Sequence, residues 1–69
     1  MKISARNMLK GKVKQVKHGA VNSEVVVKLS NGVEVVSIIT LESAKNLKLA
    51  KGKDVYAIIK ASNVMIGVD

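Results

Sequence analysis

Along most of the chain, valine and isoleucine alternate with polar residues at the two-residue period of a half-buried strand. "MLKGKVKQVK" (8–17) alternates through Val13 and then shifts phase to Val16, with Gly11 placed where a bulge would absorb the change. "SEVVVKL" (23–29) sets Val25, Val27 and Leu29 on one face. "SNG" (30–32) predicts a tight hairpin, because Asn-Gly accepts the positive φ values such a turn needs. "VEVVSII" (33–39) is the returning strand, and "KDVYAIIK" (53–60) and "SNVMIGV" (62–68) complete a predicted set of five.

One segment breaks the alternation. In "TLESAKNLKLAKG" (40–52) Leu41, Ala44 and Leu47 recur at helical spacing, Thr40 suits an N-cap, and Glu42 falls in the first turn, where the helix dipole favours an acid. The chain therefore reads as all-β with one short helix after the third strand, the element order of a five-stranded OB-like Greek-key barrel. A small sandwich shares these periodicities, and strand order is not readable from them. No linker, repeat or low-complexity run interrupts residues 1–69, which read as a single domain.

The pattern also leaves a surplus. Val26, Val36, Ile38, Tyr56, Ile58 and Met65 lie out of phase with the main core residues, and one barrel interior cannot bury both sets. An apolar outer face predicts a contact with another subunit. The competing reading is a two-sided sheet whose second face the helix covers within one chain.

Composition sharpens the case for assembly. A chain of 69 residues is near the size at which a single core stabilises a fold only marginally. There are no cysteines, so disulfides are excluded, and His18 alone cannot build a zinc site. Oligomerisation is the support left. "MKISARN" lacks the apolar core of a signal peptide, and no apolar run approaches the ~20 residues of a membrane span, so a soluble, cytoplasmic protein is expected.

Eleven lysines and one arginine stand against five acids, a net charge of +7. Such an excess points to an anionic partner, although lysines spread over a surface also serve solubility. A basic OB-type module for single-stranded nucleic acid is the alternative function. Against it, Tyr56 is the only aromatic residue, whereas such folds stack bases on several rings.

No catalytic constellation is present. The carboxylates Glu24, Glu34, Glu42, Asp54 and Asp69 are scattered, there is no GxxxxGK[ST] loop, and a non-enzymatic protein is expected. What remains is a set of donors. Ser4 and Arg6 project to the same side of an extended segment, with no acid in the first 23 residues to pair with the arginine. Lys60 and Ser62 repeat the spacing inside a stretch, 55–68, that has no acid either. Thr40 could add a hydroxyl at the helix start. Hydroxyls, cations and backbone N–H groups are what a tetrahedral oxyanion accepts from. The plainer readings are a solvated terminus for Ser4 and Arg6, a surface lysine for Lys60 and a cap for Thr40. "KHGAVNSE" (17–24) is a second candidate, because Gly19 permits positive φ and small residues leave N–H groups open; its plainer reading is a hairpin loop.

"SARNMLKGKV", "HGAVNSEVVVKL", "TLESAKNLKL", the "KGKDV" turn and "IIKASNVMI" together resemble the molbindins, or Mop proteins, the small molybdenum-pterin binding proteins, across essentially the whole chain. The same module occurs in molybdate-responsive regulators and, as the transport-associated OB domain, in molybdate importer ATPases. The resemblance implies a strand-exchanged hexamer, a trimer of dimers, that binds molybdate or tungstate between subunits for intracellular molybdenum storage. It carries one kind of site onto Ser4, Arg6, Thr40, Lys60, Ala61 and Ser62, and a second onto His18, Gly19, Ala20, Val21 and Ser23. No direct protein ligand to the metal atom is implied. With so few aromatic rings, a pterin has nothing to stack on, and the bare oxyanion is the expected ligand.

Overall fold

A computed structural model describes all residues from Met1 to Asp69. The strands are β1 (Asn7–His18), β2 (Asn22–Leu29), β3 (Glu34–Thr40) and β4 (Asp54–Ile59), with a helix α1 (Leu41–Asn46) after the third and a 3₁₀ turn at Ala61–Asn63. They form one antiparallel sheet in the order β3-β2-β1-β4. Twelve residues long, β1 serves two partners: Asn7 to Lys12 pair with β4, and Gly11 to His18 pair with β2.

The phase shift in β1 is a bulge, and it sits at Lys14 rather than at Gly11. Val13 faces Val27 and Gln15 faces Val26, so Lys14 is the extra residue that lets both Val13 and Val16 turn inward. Gly11 answers a different need. A Cβ there would lie 2.7 Å from the Lys28 carbonyl oxygen and 2.8 Å from Val27 Cγ1, so only glycine permits this approach of β1 to β2.

Val13, Val25 and Val27 form the buried core, with Val16, Leu29, Ile39, Leu49 and Val55 packed around it. Helix α1 adds the buried Ala44. Its N-cap is Thr40, and its C-terminal turn runs through Lys48 at φ 53, with the Lys53 ammonium donating to the Leu47 carbonyl at 2.6 Å. The Asn-Gly hairpin forms as its residues dictate: Gly32 has φ 86 and the Leu29 N–H donates to the Val33 carbonyl.

The fifth strand does not form. After the turn at 61–63 the chain runs to Asp69 without pairing, leaving Met65 92%, Ile66 88% and Val68 93% exposed. A strand needs a ladder partner for its N–H and C=O groups, and these residues have none in their own chain. The barrel is accordingly open, a curled sheet whose edges β3 and β4 are not joined. An apolar cleft lies between those edges, lined by Val35, Ile39, Leu49, Val55, Ala57 and Ile59 among others.

Of the apolar surplus, Val26 is buried, while Val36, Ile38, Tyr56, Ile58 and Met65 are exposed. Helix α1 covers none of these five. Only six residues of 69 are buried, and the chain exposes 5641 Å². A compact monomer of this mass exposes about 4,200 Å² by the usual scaling.

Candidate anion-binding site

The last rung between β1 and β4 pairs Asn7 with Ile59. One residue further out, Arg6 on one side and Lys60 on the other flank the point where the two strands part. Ser4 lies beyond Arg6, and Ala61 and Ser62 open the 3₁₀ turn that follows Lys60. All five are exposed, and Ala5 and Asn7 on either side of Arg6 are half-buried, so the strands part into an open mouth. As the first residues of a helical turn, Ala61 and Ser62 have backbone N–H groups without intrahelical partners.

The charges at this mouth are uncompensated. The structure contains two ion pairs, Lys12 with Asp54 at 2.7 Å and Lys14 with Glu34, both on the strands. The hydrogen bond from each lysine is the main reason that both carboxyls sit below the usual carboxylate range. Arg6 and Lys60 belong to neither pair. Both cations lie one residue beyond the same rung and raise the local potential for an anion, and residues 3–7 and 59–64 around them contain no acid.

Asn7 is a residue that sequence reasoning quoted and gave no role. Its Nδ2 donates to the Ile59 carbonyl at 3.1 Å, tying together the two motif-bearing segments at the base of the mouth. Ser43 is a second. Thr40 Oγ1 accepts from the Ser43 N–H at 3.0 Å and donates to Ser43 Oγ at 2.8 Å, so its hydroxyl is already engaged as a cap. The Asn7 role has no sequence signal, since it depends on what lies opposite in the fold; the Ser43 role is local, three residues after the cap.

The register divides the expected first set. Thr40 faces Asn22, and the neighbouring Ser23 faces His18, which places Thr40 at the C-terminal end of β1. Asn7, with Arg6 and Lys60, is at its other end. Arg6 and Lys60, with Ser4, Ala61 and Ser62 flanking them in sequence, thus leave the sheet at one end of β1, and Thr40 is grouped with the 18–23 loop at the other. A hydrogen bond from the Leu41 N–H to the Val21 carbonyl, 2.8 Å long, seals that second grouping.

In the loop, Ser23 is 1% exposed and its Oγ lies 2.7 Å from His18 Nδ1. Gly19 does not use a positive φ, and its N–H is spent on the Asn22 carbonyl at 2.7 Å. The open donors are instead the N–H groups of the exposed Ala20 and Val21, which have no backbone partner. No group of three or more His, Asp or Glu side chains is placed to hold a metal ion, and no helix is long and apolar enough to cross a membrane.

Fold and motifs together define a class of small, basic β domains, and residues 3–66 match the family described as the TOBE domain. Molybdenum-pterin-binding protein 3 of Clostridium pasteurianum is 50% identical over 66 residues, covering 96% of this chain and 97% of its own. Among solved structures, MopII from Clostridium pasteurianum superposes with a TM-score of 0.92 at 43% identity, over 97% of this chain and 100% of its own. The cytoplasmic molybdate-binding protein ModG, in a form with molybdate bound, gives a TM-score of 0.95 at 46% identity over 100% of this chain and 49% of its own. The chain belongs to the molybdenum-pterin-binding, or molbindin, family of TOBE domains.

Proposed function

We propose that the protein binds molybdate or tungstate, without catalysis, at sites completed between subunits, and that it serves as a cytoplasmic molybdenum store. One observation carries the reading: Arg6 and Lys60 flank the parting of β1 and β4 with hydroxyl and N–H donors around them and no carboxylate paired to either. A fully ionised tetrahedral dianion is satisfied by donors alone. Hydrogen phosphate brings an O–H that needs an acceptor, and leaving it unsatisfied costs about 1–3 kcal/mol. A relative with molybdate bound at 46% identity supports the choice of ligand.

The same geometry supports assembly. Thr40 sits at the far end of β1 from Arg6, so a site using both takes Thr40 from a second subunit. The exposed area exceeds that of a compact monomer by about 1,400 Å², more than the ~800 Å² per partner of a standard interface. Residues 64–68, extended and apolar, fit the open cleft between β3 and β4 of another copy as an added strand. A hexamer of three strand-exchanged dimers meets these requirements, with residues 1–69 acting as one domain.

Native mass spectrometry with and without molybdate, followed by elemental analysis, tests the reading. A hexamer carrying several Mo or W atoms is expected. An assembly that takes up neither at micromolar oxyanion would overturn it.

A further inference from the structure

The ladder between β1 and β4 ends at Asn7 and Ile59, one residue short of the two cations. Beyond that rung the backbones have no further ladder bonds to hold them together. At the rung itself a side chain adds a bond across the pair: half-buried Asn7 donates Nδ2–H to the Ile59 carbonyl at 3.1 Å. This side-chain bond reinforces the terminal rung. It holds the two backbones together at the last point before Ser4–Arg6 leave on one side and Lys60 enters the 3₁₀ turn on the other.

Arg6 and Lys60, each one residue beyond the last rung and with no acid paired to either, repel each other when no anion lies between them. That repulsion pushes the strands apart. The Asn7 bond opposes it and holds the mouth's width before any anion arrives. A cradle of held width discriminates between ions of one charge and shape by their size, whereas a slack one adjusts to each.

We infer that Asn7 is a positioning residue that sets the aperture between Arg6 and Lys60, and so the preference of this site for a larger tetrahedral dianion over sulfate. The inference rests on the proposed oxyanion function and deepens it. Asn7 touches no anion; it acts through the Ile59 backbone. Leu9 and Gly11, the next residues on the same face of β1, have no side-chain donor that could take its place.

The test is competition between molybdate and sulfate for the purified protein, measured for the wild type, Asn7→Ala and Asn7→Asp. Asn7→Ala removes the donor. Molybdate affinity is expected to fall about tenfold, the scale of one hydrogen bond, and sulfate affinity to fall much less, so that the selectivity ratio narrows. Asn7→Asp keeps the shape, sets an acceptor against the Ile59 carbonyl and supplies an internal carboxylate beside Arg6. It is expected to lose more molybdate affinity than Asn7→Ala, most strongly at low salt. A residue with a purely structural role would lower both affinities by one factor, so an unchanged ratio in either variant overturns the inference. Loss of the native assembly mass in both variants also overturns it, since Asn7 would then be an assembly residue. If the wild type binds no molybdate, the proposed function itself falls; wild-type binding with an unchanged ratio in the variants removes only the role of Asn7.

Discussion

Replacing Ile66 by aspartate separates the isolated chain from the assembled one. In a single chain Ile66 is 88% exposed and touches no core, and substitutions at such positions change stability by about 0.5 kcal/mol at most. If residues 64–68 instead fill the cleft of another copy, Met65, Ile66 and Val68 are each buried on assembly. At about 1.5–3 kcal/mol per buried side chain, the three contribute roughly 5–9 kcal/mol per subunit before the costs of association. Ile66→Asp then forfeits about 2 kcal/mol of burial and adds a charge that must be desolvated or must expel the strand. Sedimentation velocity over a dilution series, with denaturant midpoints at each concentration, reads the effect. A loss of 3 kcal/mol or so raises the subunit dissociation constant more than a hundredfold. The wild type should show a concentration-dependent midpoint, and the variant should sediment as smaller species with a lower one. A variant of unchanged mass and midpoint would refute strand exchange through this segment.

The remaining expectations concern single positions. Arg6→Ala should abolish or strongly weaken molybdate uptake while the assembly mass stays unchanged, because Arg6 is exposed and makes no ion pair; equilibrium dialysis against native mass spectrometry checks both halves. Gly11→Ala places a methyl against the Lys28 carbonyl and Val27, and should destabilise by about 1–3 kcal/mol, seen as a lower denaturant midpoint. Lys48→Gly relieves a left-handed backbone at φ 53 and should stabilise by about 1 kcal/mol on the same measurement. Glu34 and Asp54 have folded-state pKa values lowered by Lys14 and Lys12, so what they contribute is present above their ordinary values of 4.5 and 3.8 and is lost as pH falls through the folded ones. Acid titration of stability should therefore decline over that window, less so in high salt, because both pairs are exposed.

Those elements that local chemistry decides were legible. The Asn-Gly turn at 31–32, the Thr40 cap and the alternating faces of β2 and β3 all follow from residues close in sequence. The bulge was half legible: the phase change between Val13 and Val16 announced it, but its position at Lys14 is set by the register against β2, which no local pattern encodes. Gly11 looked like a bulge for the same reason, when its role is to admit a neighbouring backbone. Alternation marked 62–68 as a strand, and its residues have that character, but a strand is a property of a pair, and this chain supplies none for it.

The donor sets show the same limit from the side of function. Spacing alone placed Ser4 with Arg6 and Lys60 with Ser62; that the two pairs flank one mouth depends on an antiparallel register linking positions 52 residues apart, with Asn7 bonded across it. Thr40 is placed at the other end of the longest strand by the same register. An arginine without an acid, an apolar segment without a partner and a threonine at the far end of β1 are three features that the proposed assembly addresses, the last two through a second copy. The first is met by no ion pair within the chain, and on the proposed reading the bound anion meets it: a site built from donors alone suits an anion that needs no acceptor in return.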